Sequence, residues 1–517
     1  MAKSFVLFPF DVLLSSTLPA SSSTTGSMYD LHVAHHVLAL GAILLSAFVI
    51  YVVRMVYQNP TSKVPGPWYT KLNDWSLRYH WYYGQQTYWI HSLHQKYGPI
   101  VRVSPNQVDF SDIDHVKTIY STKETFRKSS FYQKLVPIPV ANVFSTSDVD
   151  HHRRLRRLLA AQMSESSLKL LLPEINELVD LAIQRMKQES ESRGVMDVFK
   201  WNLFMTTDII GRLSFGDSFR MLEKGEKNQY FEDLENVAST SSVNLAFPIL
   251  FSLAHRYSFL PIFKAATGRV HRMINYARQS LHRYQNLVEA DPDNVKTTFF
   301  TKLFKAKDND NLSFDEIAVN AQAYIVAGSD TTAISLTYLF WELARRPALR
   351  DALLKEIQSL PSDFTERDVR DLPLLNNTIE ETLRLHSAAP AALPRSVPLG
   401  GASFGDYWLQ EHTTVSTQAY TMHRDPDVFP RPLEFEPHRW ENPTKAMKDA
   451  FMPFGRGPRN CIGLHLAYIE LRLATVRFLQ EFPNVHLTAR EGMSEKDLET
   501  DIYFLLSLKG KRCLLEA

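Results

Sequence analysis

Ten residues near the carboxyl end, Phe454-Gly455-Arg456-Gly457-Pro458-Arg459-Asn460-Cys461-Ile462-Gly463, restrict the fold of this 517-residue chain more than any other stretch. Three glycines and a proline force a tight loop, and the apolar periodicity that follows predicts a helix starting after Cys461 and ending before Phe482-Pro483. A thiol at a helix start meets the positive end of the dipole and free backbone N–H groups, which favours the thiolate. Two cysteines in all, with Cys513 expected to be a bystander, cannot assemble a structural zinc site or a disulfide framework. A lone thiolate can serve as the axial ligand of a haem iron. Arg459, two residues earlier, would suit a propionate carboxylate.

The amino-terminal region carries a second constraint. Val37–Val53 is free of charge, and extension back to Leu31 adds His32, His35 and His36, which are expected to face the membrane interface rather than a metal. Those residues span about 35 Å as a helix, enough for a hydrocarbon core of about 30 Å. Arg54, Lys63 and Lys71 follow, whereas Lys3 is offset by Asp11 and Asp30, so the positive-inside rule places the long carboxyl-terminal part in the cytosol. A buried core helix is the competing reading, and Phe5–Ala20 could be a secretory signal; even then 31–53 would act as a stop-transfer segment. The expected layout is a lumenal segment (1–30), a transmembrane anchor (31–53), a proline-rich hinge (54–68) ending in Lys63-Val64-Pro65-Gly66-Pro67-Trp68, and one large domain (69–517). A net charge of +1 opposes a nucleic-acid binder.

Within that domain the pattern reads as mainly α with small β-sheets. Ile100-Val101-Arg102-Val103 and Gln107-Val108-Asp109-Phe110 read as a hairpin. Helical periodicity dominates from about Ser164 to Leu360, broken by Pro248, Pro261 and Pro292. Ser313-Phe314-Asp315-Glu316 is a capping box that opens a long helix, ending at Arg345-Arg346 before Pro347. Another helix covers about Leu374 to His386, and Pro394–Pro437 reads as proline-rich and strand-like.

The loop matches Phe-x-x-Gly-x-Arg-x-Cys-x-Gly at every fixed position (Phe454, Gly457, Arg459, Cys461, Gly463), and on these residues the chain after residue 60 resembles the cytochrome P-450 superfamily. The resemblance implies the P-450 fold and a b-type haem ligated by Cys461. Three constellations fall in the family's order. Glu381-Thr382-Leu383-Arg384 places Glu and Arg on one helix face, and resembles the family's Glu-x-x-Arg, which forms a structural network with an arginine from Pro437-His438-Arg439-Trp440; His438 stands where Glu is common and Arg439 is kept. Ala327-Gly328-Ser329-Asp330-Thr331-Thr332 is a poor helix interior, and Asp330 and Thr331 match the acid–alcohol pair that relays protons on the distal face. In Asp150-His151-His152-Arg153-Arg154-Leu155-Arg156-Arg157, His152 replaces the family's tryptophan and Arg156 matches its propionate arginine. The other arginines are expected to face outward, toward an acidic partner or solvent. Arg395 matches the arginine on the strand beside the haem.

The resemblance implies a monooxygenase that uses O₂ and draws electrons from NADPH–cytochrome P-450 reductase, since this chain has no flavin or dinucleotide domain of its own. An endoplasmic-reticulum membrane location with the catalytic domain in the cytosol follows from the anchor. Candidate pocket segments are Phe131–Phe144, the alanine-rich Ser387–Leu393, and Val243–Phe263, which would also touch membrane lipid; all suit a lipophilic substrate. The motif wording resembles fungal oxygenases that tailor terpenoids, polyketides or mycotoxins. Two rival readings are a haem-thiolate isomerase or dehydratase that needs no O₂, and a non-catalytic membrane haem-binding protein. Asn311-Leu312-Ser313 and Asn376-Asn377-Thr378 are glycosylation sequons, irrelevant in the cytosol.

Overall fold

The capping box at Ser313 is formed: Ser313 Oγ accepts the Glu316 N–H at 3.2 Å and Glu316 Oε2 accepts the Ser313 N–H at 2.8 Å. It opens a 31-residue helix in a computed structural model that describes residues 26–136, 140–233, 245–247, 253, 256, 261–291, 293–305, 312–361 and 363–517. Most of 243–263, together with Pro292, Asn311 and the segment 1–25, lies outside the described residues.

The chain divides into two units, residues 1–58 and 59–517. In the first, helix α1 (Gly26–Val53) runs into a π-helical turn at Arg54–Gln58. His32–Gln58 is long and apolar enough to cross a membrane, with mean hydropathy 2.4 and no part of it buried.

The second unit is helical, with four small sheets among the described residues. The helices that matter for the site are α2 (Val149–Ala160), α3 (Val198–Phe215), α4 (Phe314–Ala344), α5 (Pro373–Leu385) and α6 (Leu464–Glu481). Helix α4 stops at Arg345 because Pro347 starts the next helix. Its second half, Ala333–Ala344, is continuously buried. It packs on α3, where Thr206 Oγ1 donates to the Ser329 carbonyl at 2.7 Å. Each fully buried Leu, Ile or Phe in that interface contributes about 1.5–3 kcal/mol.

The largest sheet has the order β1-β2-β5-β4-β3, from β1 (Ile100–Ser104), β2 (Gln107–Phe110), β3 (Arg127–Lys128), β4 (Arg395–Ser396) and β5 (Thr414–Ser416). The expected β1–β2 hairpin is antiparallel with Ile100 opposite Phe110. Strand β2 runs parallel to β5, and β4 joins β5 to β3 with Lys128 opposite Arg395. The strand-like reading of Pro394–Pro437 holds only as far as Ser416. Beyond it come a short helix, Ala419–Met422, and turns; Pro426, Pro430, Pro432 and Pro437 lack the N–H a ladder needs.

The proline-rich segment is also more firmly held than a hinge. Residues 59–68 belong to the second unit, and the fully buried Arg102 of β1 donates to the carbonyls of Val64 at 2.7 Å and Pro67 at 2.8 Å, while its backbone N–H donates to Pro65 at 2.7 Å. A Cβ on Gly66 would stand 2.6 Å from the Arg102 carbonyl, so glycine is needed there. The expected hinge at 54–68 thus splits, with its proline-rich half docked onto β1.

Candidate active site

The cysteine loop is held by its own backbone. The Phe454 carbonyl accepts the Cys461 N–H at 2.8 Å, and Gly457–Arg459 makes a single 3₁₀ turn. Gly457 sits at φ +70°, and a Cβ there would lie 2.2 Å from the Tyr120 carbonyl. Phe454 packs against the main core and meets Tyr468 with ring centroids 5.4 Å apart. Helix α6 begins at Leu464, capped by Gly463. The Cys461 side chain keeps solvent access, yet lies deep among protein atoms. Burial pushes its thiol up, and the Gly463 N–H and the Arg156 charge pull it down only in part. The helix start therefore does not make this free cysteine a thiolate, contrary to the expectation from the dipole; removing charge from water outweighs it. A bound cation would reverse the balance.

Around the loop the fold gathers cations from distant parts of the chain. Arg156 on α2 donates to the Asn460 carbonyl at 2.7 Å and to Asn460 Oδ1 at 2.5 Å. Arg459 donates through Nε to Glu124 at 2.7 Å and through Nη1 to the Thr146 carbonyl at 2.8 Å. Arg395, on β4, is 6% exposed, and its Nε has no hydrogen-bond partner. His152 is 2% exposed, its Nδ1 also lacks a hydrogen-bond partner, and its nearest carboxylate oxygen is Glu124 Oε1 at 3.9 Å. Burial, then Arg459, Arg156, Lys128 and Arg395, hold His152 down to about 3, so it is neutral. Glu124 and Lys128 were not legible as site residues, since neither lies in a motif; both stand in the short segment that closes β3. Among the described residues Glu124 is the single carboxylate paired with this group. Three arginines against one glutamate leave a positive excess beside Cys461, with a donor unspent on the buried Arg395. That is the environment a group with an iron and two carboxylates requires, and the residues present fit haem.

Helix α4 carries Asp330 and Thr331, both half-buried. Thr331 Oγ1 donates to the Ala327 carbonyl at 2.7 Å, the local competition with the helix ladder expected of such a residue. Ala327 is exposed in the middle of this helix. Next to the pair, the Thr332 hydroxyl bonds Glu470 of α6, a buried carboxyl that burial pushes up to about 8. Glu470 escaped the sequence reading; its signal was a lone acid on an apolar helix face.

The cytochrome P450 family profile matches residues 70–511. The chain belongs to the cytochrome P450 family. It is similar to the cytochrome P450 monooxygenase tazI of Aspergillus terreus, at 44% identity over 92% of this chain and 97% of that protein. It is likewise similar to orf2 of Aspergillus niger, at 38% over 93% and 98%, and to aflV of Aspergillus parasiticus, at 31% over 93% and 96%. All three bear the name cytochrome P450 monooxygenase. The chain is thus an oxidoreductase, a P450 monooxygenase, and the family implies a haem-thiolate iron cofactor.

In this P450, Glu381 and Arg384 of α5 are wholly buried and paired at 2.8 Å. Glu381 also takes Arg439 Nε at 3.0 Å, Trp440 Nε1 at 2.9 Å and the Glu436 N–H at 2.8 Å. Trp440 is a partner the sequence did not reveal, while His438 is exposed and pairs with Glu441 at 2.7 Å, outside the network. Burial raises Glu381, but the arginines prevail and hold its carboxyl below the usual range. Arg154 corrects the expectation of outward arginines: it bonds Glu316 at 2.8 Å, tying α2 to the cap of α4, whereas Arg153 is 61% exposed. Of the four alanines in Ser387–Leu393, Ala388, Ala391 and Ala392 are buried in packing. A cleft of about 610 Å³ lies elsewhere, between Trp341, Arg346, His386 and Phe435, and contains none of the site residues; its charged lining does not suit a lipophilic substrate.

Proposed function

We propose that this P450 hydroxylates or otherwise oxidises a lipophilic small molecule in fungal secondary metabolism, of the terpenoid, polyketide or mycotoxin class. The reading comprises haem b ligated by Cys461 and electrons from NADPH–cytochrome P450 reductase. It also comprises a single-pass anchor at 31–53 in the endoplasmic-reticulum membrane, with the catalytic part in the cytosol. The observation that carries it is the cation excess beside a single accessible thiol.

When bound, haem would supply binding and activation of O₂, with the electrons delivered one at a time by the reductase and the thiolate favouring O–O cleavage. Cys461 would ligate the metal from a loop whose shape is set by its own hydrogen bonds. Arg156, Arg395, Arg459 and neutral His152 would bind and orient the carboxylates, and Phe454 packs the loop against the core. Thr331 could turn its hydroxyl from the Ala327 carbonyl into the site and hold a proton there, and Asp330 would pass it protons from solvent. Glu381, Arg384 and Arg439 keep the surrounding core from shifting. In support of the pathway class stand the motif wording and relatives from filamentous fungi.

The reduced carbon-monoxide complex should show the strongly red-shifted Soret band of thiolate ligation, and Cys461→Ala should abolish it; a band that survives refutes the ligand. Protease added to intact microsomes should digest residues beyond 60, and protection of them refutes the topology.

A further inference from the structure

Lys128, on β3, is a site residue that no motif contains. It is 6% exposed, and its one hydrogen bond among the described residues goes to the Phe144 carbonyl at 2.5 Å. Its Nζ lies 4.0 Å from the ring centroid of Tyr132 and 4.2 Å from that of Phe144. An ammonium has three donors, so two are left without an acceptor. Among the described residues no carboxylate pairs with it, while Arg395 stands opposite in the β3–β4 register. Burial, with Arg395 and Arg459 nearby, drives its amine well below the usual lysine range. A buried ammonium without a counter-charge is costly unless an anion completes the site. Two aromatic faces and one carbonyl attract the cation but return no charge.

We propose that Lys128 is a further cationic ligand of the haem carboxylates, donating to them the N–H groups that Phe144 does not take. This rests on the reading that the cation cluster receives those carboxylates. If Lys128 only clamped the loop at Phe144, it would be indifferent to the charge on the cofactor.

The test compares haem with haem dimethyl ester, in which both carboxylates are esterified. Each is loaded into the full-length protein, and its release into an excess of a haem-scavenging apoprotein is followed spectrally. Wild type should release the diester faster than haem. Lys128→Met should release haem about 10–100-fold faster than wild type, the scale of a hydrogen bond to a charged group, and the diester little faster, so the ratio between them shrinks. Lys128→Gln should fall between. Arg127→Met, which removes the exposed cation one residue earlier, should leave the ratio at its wild-type value. A wild-type ratio in both Lys128 variants overturns the inference, even if both are less stable. So does failure of both to fold, because removing an uncompensated cation should not unfold the protein. Arg395→Met separates the two levels: if its ratio is also unchanged, the cation-cluster reading fails; if it shrinks and the Lys128 variants do not respond, only the role of Lys128 fails.

Discussion

Glu381→Gln isolates the charge of the buried network while nearly preserving its volume. Glu381 Oε1 accepts from Arg384, Arg439 and the Glu436 N–H, and Oε2 accepts from Arg384 and Trp440. A glutamine must point its NH₂ at one of these two sets, so at least two buried donors lose their acceptor. At about 1–3 kcal/mol per orphaned group this gives about 2–6 kcal/mol, in line with the roughly 3–5 kcal/mol measured when one partner of a buried ion pair is removed. The unfolding entropy of about 2.1 cal/mol/K per residue near 60 °C, over the roughly 460 residues of the second unit, is about 1 kcal/mol/K. The expected fall in Tm at pH 7 is therefore about 2–6 °C. Acid adds a second signature. A carboxyl held below its usual range stabilises the fold above its unfolded pKa, and that stability disappears as pH falls through the folded value. The variant has no such group, so its deficit should shrink as pH falls below about 4. Thermal unfolding followed by circular dichroism between pH 3 and 7 checks both. A Tm within 1 °C of wild type at pH 7, or a deficit independent of pH, refutes the argument.

Thr331→Ala should leave haem content and substrate binding nearly intact, yet lower the product formed per NADPH oxidised, with more peroxide released; the scale for a proton-transfer group is about 10²–10⁴-fold. An unchanged product-to-NADPH ratio would remove Thr331 from the relay. Glu470→Gln acts in the opposite sense to Glu381→Gln. Its carboxyl is pushed up to about 8, so the wild type loses stability as pH rises from about 4 through that value. The glutamine variant should match wild type near pH 4 and exceed it at pH 9, by chemical denaturation; a variant no more stable at pH 9 contradicts a buried neutral acid.

What could be read without coordinates was local. The Ser313 box, the β1–β2 hairpin and the stop before Pro347 each need only a few consecutive residues, and each formed as expected. The i, i+3 spacing of Glu381 and Arg384 set them on one face, but could not say that the face is buried or that Trp440 completes it. The dipole argument at Cys461 failed because it weighed a helix end without the desolvation that surrounds the thiol. Arg154 looked like a surface cation until α2 was seen against Glu316. The strand reading beyond Ser416 weighed extended backbone without the missing proline N–H groups.

The sequence by itself therefore determined the cysteine loop, the apolar amino-terminal helix and the helical character of the main unit, because glycine and proline torsions, charge-free length and apolar period act over ten to thirty neighbouring residues. Only the tertiary structure decided which charges meet. Glu124 and Arg459 are 335 positions apart, Arg156 and Asn460 304, and Lys128 faces Arg395 across a two-residue strand pair. Coulomb interactions and desolvation depend on distance and burial in space. Nothing in the order of residues carries those quantities until the sheet and helices have brought them together.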